Sequence, residues 1–201
     1  MNTTTTTTTA LDEPAIWLGC LSCYNNGRLN GKWITAEQAA EPEAAETLNG
    51  LATLETTTGL TDLNIAGNYT TNRCRKCFGD EFDVMDYQLI PKSCANAKEF
   101  YENAEQLAEL HNDDKLALIV ILAGALDPAG LMSLDELAEY HESFYYGEHD
   151  TDTAFAEHYA DEVGDTASVP EHMRNYIDYE FYARELLYDF MSEAGHYWRN
   201  S

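Results

Sequence analysis

The sequence predicts an elongated α+β protein of three small modules in a row. A small antiparallel sheet plus a helix stands at the N-terminal end, and the rest is mostly helical. Three observations carry this reading. Short strand-like runs flank a strong turn signal in the first hundred residues. After residue 98, apolar residues recur at helical spacing. Finally, 201 residues suffice for one medium domain or a string of small ones, and short helical modules with little shared core string out.

The elements follow in order. Residues 1–15 hold seven consecutive Thr and read as a disordered tail, because they have nothing to bury. Residues 16–21 (Ile-Trp-Leu-Gly-Cys-Leu) read as a strand, residues 24–27 (Tyr-Asn-Asn-Gly) as a turn, and Lys32, Trp33 and Ile34 as the partner strand. Residues 36–54 are rich in Ala and Glu, with Ala40, Ala44, Leu48 and Leu51 near helical spacing, and predict one short helix. Residues 56–72 read as loop and residues 82–87 as another strand, closing a module over 16–98.

A helical module over 99–141 comes next. Phe100, Ala104, Leu107 and Leu110 or His111 form its first stripe. Asp113 or Asp114 is placed to cap an apolar, buried helix running to Leu126, and Asp127-Pro128 ends it. Ser133 with Glu136 forms a capping box that opens a helix with Leu134, Leu137 and Tyr140 or His141 inward. A mainly helical module over 142–201 completes the chain. Thr151 or Asp152 starts a helix that faces Phe155, Tyr159 and Val163 inward and stops at Gly164. Pro170 suits a first helical position, and Met173, Ile177, Phe181 and Leu187 or Tyr188 recur at intervals near helical.

Charge narrows the function. Thirty-six Asp and Glu against 11 Lys and Arg leave a formal −25. That sign excludes unaided binding to nucleic acid or to an anionic membrane, and it points to a basic protein surface as partner. The imbalance is concentrated: residues 1–98 carry a net −5 and residues 99–201 a net −20. Adaptation to salt would acidify all exposed surface alike, so the split argues against it. The acids that stand off the apolar stripes are Glu99, Glu102, Glu105, Glu109, Asp113, Asp114, Asp135, Glu136, Glu139, Glu142, Glu148, Asp150, Asp152, Glu157, Asp161, Glu162 and Asp165. Bases at i±4 are scarce, and like charges at that spacing mildly destabilise a helix. On charge alone, a solvated acidic face and a binding surface both remain open.

No apolar run reaches the roughly 18–20 residues of a membrane span. The N-terminus has neither a basic region nor an apolar core for secretion, and the five Cys are an odd count, so the expected compartment is the reducing cytoplasm. Cys-x-x-Cys occurs twice, at Cys20/Cys23 and Cys74/Cys77. Four thiolates suit a tetrahedral structural zinc site, and Arg73, Arg75 and Lys76 favour the thiolate form. Against this, positions i and i+3 of a strand face opposite sides, so Cys20 and Cys23 converge only if the chain turns by Leu21. Free thiols or redox chemistry are the alternatives, and Cys94 fits no pair. His111, His141, His149, His158, His172 and His196 show no ligand spacing, and neither a phosphate-binding glycine loop nor a Gly-x-Ser-x-Gly nucleophile motif occurs. No enzyme is expected.

Three stretches carry a resemblance. Residues 16–34 end a strand in Tyr-Asn-Asn-Gly and continue into a Gly-x-Trp strand. Residues 81–87 (Glu-Phe-Asp-Val-Met-Asp-Tyr) place an acidic and aromatic run before an Asp-Tyr pair. Residues 169–186 contain Tyr-Ile-Asp-Tyr followed, three residues later, by Ala-Arg-Glu-Leu. In this order they resemble the ArdA antirestriction proteins. That resemblance implies an elongated, acidic, three-domain dimer that occupies the DNA groove of type I restriction-modification enzymes by imitating DNA. The acids above would then be the mimic surface. The chain departs from the family after Asp189: where the family commonly ends in an aromatic hairpin, residues 190–201 are short and close on Tyr197-Trp198-Arg199. The rival reading is an acidic adaptor for another basic protein, such as a nucleoid protein or a repressor.

Overall fold

The computed structural model describes residues 12–27, 31–41 and 82–200. The fold is α+β, with small antiparallel sheets and many helices. The chain divides into two compact units, Met1–Leu134 and Asp135–Ser201.

The first unit is organised around β1 (Ala15–Cys20), the central strand of a three-stranded antiparallel sheet. Its neighbours are β2 (Gly31–Thr35) and β3 (Phe82–Gln88). Central placement explains why Ala15, Ile16, Leu18 and Cys20 are all buried. Trp17 and Trp33 oppose each other in register and meet edge to face, ring centroids 5.7 Å apart. Pro14 and Ala15, assigned to the tail by the sequence reading, are buried, and the carbonyl of Glu13 accepts from Nε2 of Gln88.

The strand reading of residues 16–21 needs one correction. The strand ends at Cys20, and a short helix α1 (Leu21–Asn25) follows at once. Asn26 caps it, and Gly27, at φ +72°, supplies the left-handed residue that stops it. Thr35 and Gln38 form a reciprocal capping box at the start of α2 (Ala36–Ala40). The rest of the helix expected to residue 54, and the loop over 56–72, lie outside the described residues.

Beyond β3, a short 3-10 turn (Lys92–Cys94) leads into α3 (Ala97–Glu102) and α4 (Ala104–Asn112). The predicted stripe is present, with Phe100, Ala104 and Leu107 buried, but the helix breaks at Asn103. α5 (Leu116–Leu126) departs from expectation in two ways. Lys115, and neither Asp113 nor Asp114, occupies the N-cap position, because Asp114 sits in the left-handed region at φ +58°. The helix is also buried on one side only: Leu116, Ile119, Leu122 and Ala123 are covered, while Leu118, Val120, Ile121 and Leu126 are half-buried. No helix among the described residues is long and apolar enough to cross a membrane.

The second unit packs α6 (Leu134–Phe144), which opens directly after Ser133, and α7 (Asp152–Glu162) with a second sheet. Strands β4 (Tyr145–Glu148), β5 (Phe190–Glu193) and β6 (His196–Arg199) form that sheet in the order β4-β6-β5. Short α8 (Glu171–Arg174) and α9 (Tyr179–Leu186) lie between. Thr151 caps α7 through its hydroxyl, and Pro170 stands at the N-cap of α8. Trp198, Tyr197, Phe155 and Phe190 are the main buried aromatics.

Two expectations fail in this unit. Residues 190–199, though short, fold as an aromatic hairpin, joined by Ala194-Gly195 with both φ values positive (52° and 83°), as a two-residue turn between twisted strands requires. And Met173, Phe181 and Tyr188 do not point inward along a stripe; they are exposed, as are Tyr176 and Val163. The segment from 163 to 178 is mostly turns and one four-residue helix, so no continuous helical face exists to gather them.

Candidate functional site

The apolar residues of each helix determine where its acids go. In α3 and α4, Phe100, Ala104 and Leu107 take the interior, which leaves Glu99, Glu102, Glu105 and Glu109 on other faces. Asp113 and Asp114 follow in the turn before α5. In α6, Leu137 and His141 are buried, so Asp135, Glu136, Glu139 and Glu142 are turned outward. Glu148, at the end of β4, and Asp150 precede α7; Phe155, Ala156 and Ala160 bury that helix and present Asp152, Glu157, Asp161 and Glu162 to solvent, with Asp165 just beyond. Sixteen of the seventeen acids singled out from the sequence are thus exposed, and Glu99 is half-buried.

Lys98 bridges Glu99 at 3.1 Å and Glu102 at 3.3 Å, and these two carboxylates hold its ammonium above the usual lysine range. His158 lies 3.9 Å from Glu162. Bases are few in the second unit, where 17 Asp and Glu stand against three Arg. Two of those, Arg174 and Arg184, reach backbone carbonyls: Arg174 those of Val169 and Thr166, and Arg184 that of Glu180.

Three of the exposed acids are held by hydroxyl donors. The phenol of Tyr197 donates to Oδ1 of Asp152 at 2.7 Å, that of Tyr182 to Oδ2 of Asp165 at 2.7 Å, and the hydroxyl of Thr166 to Oδ1 of Asp161 at 2.5 Å. Desolvation, and then the bond to Asp165, pushes Tyr182 up to about 12. The same causes, with Asp152 as partner, raise Tyr197 above the usual tyrosine range. Desolvation followed by the charges of Asp161 and Glu157 raises Tyr179 as well. These donors were not legible in the sequence, because the two tyrosines stand 45 and 17 residues from the acids they meet.

The cysteines divide. Cys20 is the N-cap residue of α1, and its Sγ lies 3.5 Å from the backbone N–H of Cys23. The chain therefore turns at Leu21, as convergence of a Cys-x-x-Cys pair requires, and both residues are buried. Cys74 and Cys77 lie outside the described residues. Burial pushes the Cys94 thiol up to about 11, the direction of an inert core thiol. Among the described residues no group of three or more His, Cys, Asp or Glu is arranged to hold a metal. The rings of His149 and His158 come within 5.1 Å, while His141 and His196 join the aromatic core around Tyr145 and Trp198.

No curated protein sequence matches this chain. A family model described as antirestriction protein (ArdA) matches residues 16–197. The match spans nearly the whole chain, including all three resembling stretches and every acid named above. The chain belongs to the ArdA family of antirestriction proteins.

Proposed function

We propose that this protein inhibits type I restriction-modification enzymes by occupying their DNA-binding groove with distributed surface carboxylates, acting in the cytoplasm as a homodimer and catalysing no reaction. The observation that carries this reading is the exposure of sixteen of the seventeen candidate acids, on a chain that belongs to an antirestriction family. Duplex DNA carries one negative charge per about 1.7 Å of axis, and an enzyme that grips it presents Lys and Arg to match. Exposed carboxylates satisfy the same cations through charge-assisted hydrogen bonds, and long-range attraction speeds capture. No base-edge pattern has to be copied, because phosphate contacts position a protein on DNA without reading its sequence. Met173, Tyr176, Phe181 and Tyr188 support dimerisation, as exposed apolar side chains in an otherwise strongly charged unit. The experiment is a cutting assay. Purified protein is added to a type I enzyme with unmodified DNA, and cleavage is expected to stop at near-stoichiometric inhibitor. Undiminished cleavage would reject the reading.

A further inference from the structure

We infer that the hydroxyls of Tyr182, Tyr197 and Thr166 are positioning groups that fix three carboxylates of the inhibitory surface, Asp165, Asp152 and Asp161, in the orientation in which they meet the partner's cations. This rests on the proposed inhibitory function and names which of its charges are aimed.

Each acid is exposed, whereas two of the three donors are anchored in the interior. Tyr197 is buried and stacked on Phe155, ring centroids 4.0 Å apart and planes 12° apart. Its phenol leaves that stack to reach Asp152, beside the Thr151 cap of α7. Thr166 is 5% exposed, and its backbone carbonyl accepts from the guanidinium of Arg174 at 3.4 Å. Tyr182 belongs to α9, beside the buried Ala183, and α9 packs on α7. A phenol or alcohol has one proton to donate, and here each donates it to one carboxylate oxygen. The second oxygen of each acid retains acceptor capacity for an incoming cation.

All three held acids are Asp, with two side-chain torsions rather than the three of Glu. A hydroxyl bond to such a short side chain leaves little rotational freedom. The ordering cost that a mobile side chain incurs on binding is then met when the protein folds. A free Glu supplies charge at an average position, whereas a held Asp supplies charge at a fixed one, as phosphates on a duplex do. The prediction is specific because removing the hydroxyl changes no charge. A surface acting by net charge alone would not respond.

The test uses the full chain carrying Tyr182→Phe, Tyr197→Phe and Thr166→Val, singly and together, with inhibition of a type I enzyme, its salt dependence and thermal melting all measured. Each single change is expected to weaken inhibition about three- to tenfold, and the triple change by roughly a hundredfold. The slope of affinity against salt should stay that of the wild type, since the charge count is the same. A double-mutant cycle separates positioning from general structure: Tyr182→Phe should have little further effect once Asp165→Asn is present. The inference is overturned if the folded triple variant inhibits like the wild type. It is equally overturned if Tyr182→Phe weakens inhibition as much in the Asp165→Asn background. Failure of the underlying function looks different: a protein with its exposed acids neutralised together would inhibit as well as the wild type.

Discussion

The indole N–H of Trp198 donates to Nδ1 of His141 at 3.2 Å, and both side chains are buried in the second unit. An indole is only a donor, so Nδ1 of His141 is the unprotonated, accepting nitrogen. Tyr145 stacks on the His141 ring at 4.7 Å, and its hydroxyl meets Nδ1 of His196 at 2.9 Å. The bond thus ties β6 to α6 through a shared polar and aromatic network.

Removing that bond tests how far the network holds the unit. Trp198→Phe keeps an aromatic but removes the donor, and it should destabilise by about 1–3 kcal/mol. Trp198→Ala also opens a cavity and should cost about 3–5 kcal/mol. Denaturant unfolding followed by circular dichroism reads both. A negligible loss for Trp198→Phe would mean that the hydrogen bond contributes nothing, and equal losses for the two variants would mean that the ring's packing contributes nothing beyond the bond.

The turn of the last hairpin is suboptimal. Ala194 is held at φ +52°, where a side chain with a Cβ is disfavoured by roughly 1–2 kcal/mol. Ala194→Asn creates the Asn-Gly pair that such turns favour and should stabilise by on the order of 0.5–1 kcal/mol. The melting temperature checks it; a lower value would show that the strain lies elsewhere.

Alkali should weaken the second unit. Tyr182 is raised from 10 to about 12, so the folded state favours its protonated form. That contribution is fully present below pH 10 and is lost as pH rises through 12. Melting curves across this window should fall less steeply for Tyr182→Phe than for the wild type. Parallel curves would remove Tyr182 as the group responsible.

Charge should act collectively. One substitution such as Glu105→Gln should change inhibition little, since an exposed pair contributes about 0–1 kcal/mol. Neutralising Glu102, Glu105, Glu109, Glu139, Glu142, Glu157 and Asp161 together should lose several kcal/mol, at about 1 each if they add. Inhibition should also weaken as salt rises. Abolition by any one of these single changes would replace distributed charge with a local site.

Metal content decides the cysteine question. We propose that Cys20, Cys23, Cys74 and Cys77 hold one structural zinc per chain, a reading that the turn at Leu21 favours by bringing Cys20 to the start of the helix containing Cys23. Protein purified without chelator should release one equivalent on denaturation, and the Cys20→Ser, Cys23→Ser double variant none. Metal-free wild-type protein would leave the free-thiol reading.

Local chemistry made several features readable from the sequence. The paired strands around Trp17 and Trp33 follow from alternating apolar residues beside an Asn-Gly signal, and the α4 and α6 faces follow from helical spacing, whereas α7 buries Ala156 and Ala160 beside Phe155 and leaves Val163 exposed. The outward acids follow too, because an ionised carboxylate is not buried without a partner. Other features depend on groups far apart in the chain. Ala194-Gly195 is a weak turn signal, and its hairpin forms because Tyr197 and Trp198 are covered by α6 and α7. The break at Asn103, whose amide turns back to the Glu99 carbonyl, and the cap at Lys115, which follows the left-handed Asp114, were not legible from helical spacing. The sequence by itself determined the amount of negative charge, its concentration in the second half and the family to which the chain belongs. Only the tertiary structure decided which of those charges have a fixed direction, because a hydroxyl 45 or 17 residues away reaches a carboxylate only after the chain has folded.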